Sequence, residues 1–246
     1  MAGADKNSDQ LSSVTKSFDQ YEYVAVITPG ATLLLGLAFV LFEHFPWAAD
    51  KDVSLGLLGI FLIAAYVTGQ FVRAIGDGVQ FIFWKCFGGM PTDWVIENKR
   101  PLLDDSQRGQ LQDRLRAFLN ENVALADFSG HLDKWQAVTR RLYAIVSGAQ
   151  RSFRIDAFNR SYGMMIGLTV ALFVLGIFCW AQCLFGLPLT SKAEYAGALA
   201  LTLSILTLGR AYVFAKSYGR ELFVEFLELP PERLRPASSV TDNKRS

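Results

Sequence analysis

The sequence predicts an all-α membrane protein, with four transmembrane helices arranged as two hairpins and helical cytoplasmic extensions. Three observations carry this expectation. Four long apolar runs, roughly Val24–Phe42, Val53–Phe71, Met164–Phe185 and Ala193–Leu208, each approach the ~20 residues a helix needs to cross a bilayer core. The 24 Lys and Arg residues are unevenly placed: only Lys51 follows the first run and only Lys192 the third, while two lie in the N-terminal tail, thirteen within Arg73–Arg160 and seven from Arg210 onward. By the positive-inside rule, both termini and the middle region are then cytoplasmic. Finally, the chain is 51% apolar and 19% charged, greasier than a soluble domain yet polar enough to keep about half its length in water.

The elements follow in order. Residues 1–17 are polar and expected to form a flexible cytoplasmic tail. Across residues 1–22, Asp5, Asp9, Asp19 and Glu22 outnumber Lys6 and Lys16, so the N-terminus lacks the positive region of a cleavable signal and the first run reads as a retained span. Residues 18–87 form the first hairpin with its helix extension. Tyr21 and Tyr23 suit the headgroup layer, and Pro29-Gly30 marks either a helix start or a kink. The second run continues past Phe71 to Phe87, until Gly88-Gly89-Met90-Pro91 breaks it.

Residues 88–160 form a cytoplasmic helical region. Leu111, Leu115, Phe118 and Leu119 give one amphipathic helix within Asp104–Asn122. Leu132, Trp135, Val138, Leu142, Ile145, Val146 and Phe153 give a longer one, His131–Arg160, which meets no proline before the third run. Gly148, Gly163 and Gly167 are its weak points. Residues 161–229 form the second hairpin, whose last helix overshoots the membrane until Pro230-Pro231 stops it. Residues 230–246 form a flexible tail. Gly163-Met-Met-Ile-Gly167 has the spacing that lets membrane helices approach closely.

Composition excludes several function classes. A net charge of +1 argues against bulk attraction to nucleic acid. Cys86, Cys179 and Cys183 form no disulfide framework; Cys179 and Cys183 are four apart, but no His or third thiol accompanies them, so no metal or cofactor is expected. The four runs contain no His, and no phosphate-loop, nucleophile-elbow or metalloprotease motif is present. The chain is therefore expected not to be an enzyme.

Three groups of polar residues remain. Tyr66, Gln70, Arg73, Asp77 and Gln80 fall within an arc of roughly 80° at the inner end of the second run. Two readings are open: the lining of a pore or gate, or a snorkelling arginine beside an interhelical polar patch. Arg210, Ser217, Glu221 and Glu228, with Glu225 nearby, share a face of the last helix, either as a solvated face with Lys216 and Arg220 as local partners, or as an acidic lining or an inter-subunit salt-bridge seam. Arg210 joins the candidate gate. Arg140, Arg151 and Arg154 share a face of the His131–Arg160 helix, with Arg141 close by. Arginines so spaced can fork onto the phosphates of a nucleotide or a short single-stranded DNA, with Trp135, Tyr143 and Phe153 available to stack bases. The competing reading pairs them with lipid headgroups or with the chain's own carboxylates.

Phe18-Asp-x-Tyr21, Ile27-Thr-Pro29-Gly30, Ala65-Tyr66-Val-Thr-Gly69-Gln70 and Gly88-Gly89-Met90-Pro91 together resemble small four-span bacterial inner-membrane proteins, among them the channel effectors of Hailong-type anti-phage defence systems. The resemblance covers the order of elements along most of the chain. It implies a homo-oligomeric channel in the bacterial inner membrane, gated by a short DNA oligomer made by a cytosolic nucleotidyltransferase partner. The arginine face would then be the ligand groove and Arg73–Gln80 the gate, positions that come from the helix faces. A rival reading is a non-conducting membrane anchor that recruits a cytosolic partner through Leu111–Phe153. A transporter is disfavoured because the runs lack midplane charges and broken helices.

Overall fold

A computed structural model describes residues 23–41, 55–97, 100–119, 124–184 and 191–230. Both predicted tails, the first hairpin loop and most of the second lie outside these residues. Every regular element among the described residues is helical. A π-helical turn, Tyr23–Ile27, leads into α1 (Thr28–Leu41); then follow α2 (Leu55–Cys86), the single turn α3 (Trp94–Glu97), α4 (Asp105–Leu119), a 3₁₀ turn (Leu125–Phe128), α5 (Leu132–Gly148), α6 (Phe153–Leu184) and α7 (Ser191–Leu227).

Among the described residues, three helices are long and apolar enough to cross a membrane: Gly56–Cys86, Phe153–Gln182 and Ala193–Leu227. The first predicted run is shorter. Its apolar helix is Ala25–Leu41, about 26 Å long at 1.5 Å per residue, against a hydrocarbon core of ~30 Å. Pro29 explains the form of its entry. Lacking an N–H, it cannot bond back to Ala25, and the backbone before it widens into the π turn.

The chain divides into two compact units, one of residues up to Phe83 plus Arg160–Tyr212, the other of Trp84–Asn159 plus Val213 onward. The second unit therefore gathers more than the predicted 88–160 region, because it takes in the C-terminal part of α7.

The first unit packs through small residues. A Cβ on Gly30 would overlap the Ala65 carbonyl oxygen and lie 2.6 Å from the Gly69 nitrogen; one on Gly69 would overlap the Val26 carbonyl oxygen. So α1 and α2 meet backbone to backbone. On α6, a Cβ at Gly167 would stand 2.6 Å from Pro29 Cγ, which makes the second glycine of the predicted pair a contact for α1. Leu33, Val72, Val170, Leu175 and Ala200 close the core. Hydroxyls tie α6 to α7: Thr169 and Thr207 share a 2.9 Å hydrogen bond, and Ser204 donates to the Thr169 carbonyl at 3.0 Å. Such bonds act as glue where lipid removes the hydrophobic drive between helices.

The second unit has the core of a water-soluble domain. Trp135 is fully buried, stacked on Phe223 with centroids 6.0 Å apart, and its indole N–H donates to the Thr92 carbonyl at 2.9 Å. Leu111, Leu115, Leu142, Val146, Phe223 and Phe226 surround it, as the predicted faces require. Capping is explicit. Asp104 accepts from the Gln107 amide at 2.7 Å and Gln107 accepts from the Asp104 amide at 3.3 Å, a reciprocal box that starts α4. Arg108 donates to the carbonyls of Val95 and Ile96, and Arg114 to those of Phe226 and Leu229, neutralising helix C-termini.

The predicted helix His131–Arg160 is not continuous. It ends at Gly148, one of its weak points, and restarts at Phe153. The amide of Arg151 bonds the Val146 carbonyl and that of Gln150 the Ser147 carbonyl, the paired bonds of a Schellman ending. The left-handed position falls on Gln150, with φ 61, where glycine is the usual occupant. Phe153, expected on the apolar face, is 77% exposed because it lies past this break.

Two predictions follow from the local chemistry. Replacing Gln150 by Gly should stabilise the protein by about 1 kcal/mol, read as a higher midpoint of thermal unfolding in detergent. Asp93 is buried and accepts the Met90 amide at 2.9 Å; burial outweighs that bond and raises its carboxyl above the ordinary 3.8. The folded state then holds its proton more tightly than the unfolded one, so this contribution is greatest below the unfolded pKa and is lost as pH rises through the folded value. Relative to Asp93→Asn, the wild type should lose stability as pH is raised over that window; parallel pH profiles would exclude it.

Candidate functional site

The rotation of α2 decides what its polar residues face. Ala65, Gly69, Val72 and Gly76 are buried, spaced four, three and four apart, and form the side that packs on α1 and α6. Tyr66, Gln70, Arg73 and Asp77 each follow one of these by one position and so lie about 100° round the helix. All four are exposed. The predicted stripe thus exists as a surface feature of one copy of the chain. Gln80 departs from it: half-buried, it accepts a 2.8 Å hydrogen bond from the Tyr162 hydroxyl of α6. Arg210 is exposed on α7.

The rest of α2 outside the packed side is apolar and exposed, with Ile60 and Ile63 at 67% and Phe71 at 68%. The stripe therefore borders a greasy surface on one side and the protein's own packing on the other. A charged group on a membrane helix costs roughly 2.5–3.5 kcal/mol at the bilayer centre and less toward the ends. Exposure of Gln70, Arg73 and Asp77 on such a surface needs water or another protein surface beside it.

The four arginines read as a phosphate groove do not form one. The break at Gly148–Phe153 puts Arg151 and Arg154 on a different course from Arg140 and Arg141. Arg151 Nε stands 2.7 Å from Glu225 Oε2, its Nη2 2.8 Å from Glu228 Oε2, and Arg154 Nη1 3.0 Å from Glu221 Oε1. The acidic face of α7 and the arginines at the start of α6, Arg151 just before it and Arg154 in its first turn, are thus two halves of one ion seam, within the second unit. Glu225 and Glu221 are the more enclosed partners, each at 15% side-chain exposure against 61% for Glu228. Glu225 Oε2 is aligned with no hydrogen-bond donor, so its 2.7 Å contact with Arg151 is one of charge. The Arg141 guanidinium lies 5.0 Å from the Phe118 ring centroid; Arg140 is exposed.

The stacking residues are also committed elsewhere. Trp135 is fully buried and cannot meet a base. Tyr143 donates a 2.6 Å hydrogen bond to Asp156, and burial together with that carboxylate pushes its hydroxyl pKa well above the ordinary 10.0. Phe153 alone of the three is open.

A cleft of about 440 Å³ in the second unit is lined by Asp93, Glu97 and Asp133. Asp93 is already engaged with Met90, and among the described residues no group of three His, Cys, Asp or Glu side chains could hold a metal. Cys179 is packed in the first core, while Cys86 is exposed at the end of α2.

Of the readings open for these arginines, pairing with the chain's own carboxylates is the one seen for Arg151 and Arg154. Which carboxylates was not legible: the spacing of Glu221, Glu225 and Glu228 was visible, but nothing local linked it to arginines 67 to 77 residues away. Removing Arg151 should cost about 1–3 kcal/mol, because it strands the buried Glu225, whereas Glu228→Gln should cost under about 1 kcal/mol. Thermal or denaturant unfolding of both variants checks the order; equal costs would show the seam to be a solvated surface contact. Compared with protein-family models, curated proteins and solved structures, the chain matches none.

Proposed function

We propose that the protein is a homo-oligomeric, regulated ion channel, a membrane-depolarising effector of the bacterial inner membrane, with four spans and cytoplasmic termini. The observation that carries this reading is the exposed stripe Tyr66, Gln70, Arg73 and Asp77 on an otherwise apolar helix. In a ring of copies that turns this stripe toward the axis, the polar side chains meet water and the apolar side of α2 meets lipid or a neighbour. Ala25–Leu41 serves as the fourth span.

Regulation fits the continuity of the helices. α2 and α7 each pass without a break from the first compact unit into the second, and α6 begins in the second and ends in the first. A change in the second unit therefore reaches the spans through covalent helix. An anionic ligand such as a nucleotide or short single-stranded DNA would use Arg140 directly, and could recruit Arg151 and Arg154 only by displacing Glu225, Glu228 and Glu221. A defence role with a nucleotidyltransferase partner extends this proposal through the family resemblance.

Ion flux through the purified protein in liposomes, with and without short single-stranded DNA, tests the reading. Flux is expected, and Arg73→Ala and Asp77→Ala should each change it several-fold. Unchanged flux in both variants would make the stripe structural. No flux from a folded, inserted wild type would favour the membrane anchor.

A further inference from the structure

Contacts between the helices of the first unit fix the depth of each charge. A Cβ on Gly76 would lie 3.3 Å from Ile166 Cγ2 and 3.9 Å from Val170 Cγ2, and one turn along Tyr162 donates to Gln80. So α2 and α6 run antiparallel, and Arg73, three residues before Gly76, stands at about the level of Thr169 and Val170. Thr169 in turn bonds Thr207 and accepts from Ser204, which gives the matching level on α7. α6 carries no charged residue from Ser161 to Leu184, and α7 none from Tyr195 to Gly209. Measured from the end of α2 nearer Cys86, Arg73 is then about 14 Å deeper than Arg160 and about 5–9 Å deeper than Arg210. It lies inside the apolar layer of both neighbours, while Asp77, one turn nearer that end, is level with Arg210.

The sign of the stripe follows from its order. An ion moving along it toward Cys86 meets Tyr66, then Gln70, then Arg73, and only afterwards Asp77. The hydroxyl, the amide and the guanidinium all offer N–H or O–H donors, and the arginine keeps its charge at any working pH. α2 holds no carboxylate from Leu55 to Gly76. At this end of the spans, the described residues of the first unit carry Arg73, Arg160 and Arg210 against one carboxylate, Asp77. The balance is positive, and its deepest member is an exposed arginine.

We propose that the channel passes small anions such as chloride in preference to cations, with Arg73 of each copy as its selectivity-determining residue; this rests on the channel reading above and names its permeant class. Rings of arginine or lysine select anions as rings of carboxylates select cations. Low-dielectric walls focus the field of such a ring, which raises the local concentration of counter-ions by about ten-fold or more. Asp77 tempers this field without cancelling it. It stands one turn, about 6 Å, nearer the mouth, where water and salt screen its charge more fully.

The test is the zero-current potential of the full-length protein in planar bilayers of zwitterionic lipid under a potassium chloride gradient. The wild type should favour chloride over potassium by about ten-fold, and Arg73→Lys should keep that preference. Arg73→Gln should abolish it, Arg73→Glu should invert it toward potassium, and Asp77→Asn should strengthen it. Arg73 is exposed within its own copy, so these variants should keep the thermal midpoint of the wild type. A conducting wild type that is unselective or favours potassium overturns the proposal and leaves the channel standing. So does an unchanged chloride preference in Arg73→Glu. A folded, inserted wild type that carries no current overturns the channel reading and this inference with it.

Discussion

The backbone contact between α1 and α2 sets the terms for the rest of the molecule. Gly30 and Gly69 leave no room for a Cβ, so Val26, Ala65 and Gly69 fix the rotation of α2 about its own axis. Once that rotation is set, the side of α2 bearing Tyr66, Gln70, Arg73 and Asp77 must point away from the packing of its own copy. The polar stripe is outward for a steric reason, at a contact one helix turn above it. The same contact explains why Pro29 is tolerated: the π turn before it leaves Ala25 and Val26 buried against the neighbouring helices.

Along α7, the buried side changes character. From Ala193 to Gly219 it is made of small residues, Ala193, Ala200, Ser204, Ala211, Ala215 and Gly219; from there on it is Leu222, Phe223, Phe226 and Leu229. The two solvents account for the difference. In lipid, large apolar side chains gain nothing by leaving the tails for a neighbouring helix, so close approach and hydroxyl bonds hold helices together. In water, each buried Leu or Phe contributes about 1.5–3 kcal/mol, and large side chains prevail. Along one unbroken helix, small buried residues thus give way to large ones by Leu222, the change expected of a helix that leaves lipid for water.

Much of this was legible in the sequence. The amphipathic spacing of Leu111–Leu119 and of Trp135–Val146 identified the second core, and Gly88-Gly89 and Pro230 marked true helix ends. Asp104 stood at the edge of its predicted helix because it is the cap. The arginine face failed for a physical reason: helical faces were assigned on the premise of an unbroken helix, and a turn at Ala149–Ser152 reset the phase for Arg151 and Arg154. The turn was hard to foresee because its left-handed residue is Gln150, with Gly148 two positions too early. The count of spans was blurred at the first run, where composition gives apolarity but not the point at which helix begins.

The stripe's two readings differ in what they can explain residue by residue. Snorkelling accounts for Arg73, whose long stem can carry its guanidinium several ångströms toward headgroups. It does not account for Gln70, one turn nearer the membrane centre and with no charge to draw outward. An internal polar patch accounts for Gln80, bonded to Tyr162, but Gln70 and Asp77 are exposed and so lie outside such a patch. What remains common to Gln70, Arg73 and Asp77 is a shared side, adjacent depths and exposure in a single copy. A wetted wall or a contact with another copy accounts for the exposure of all three together.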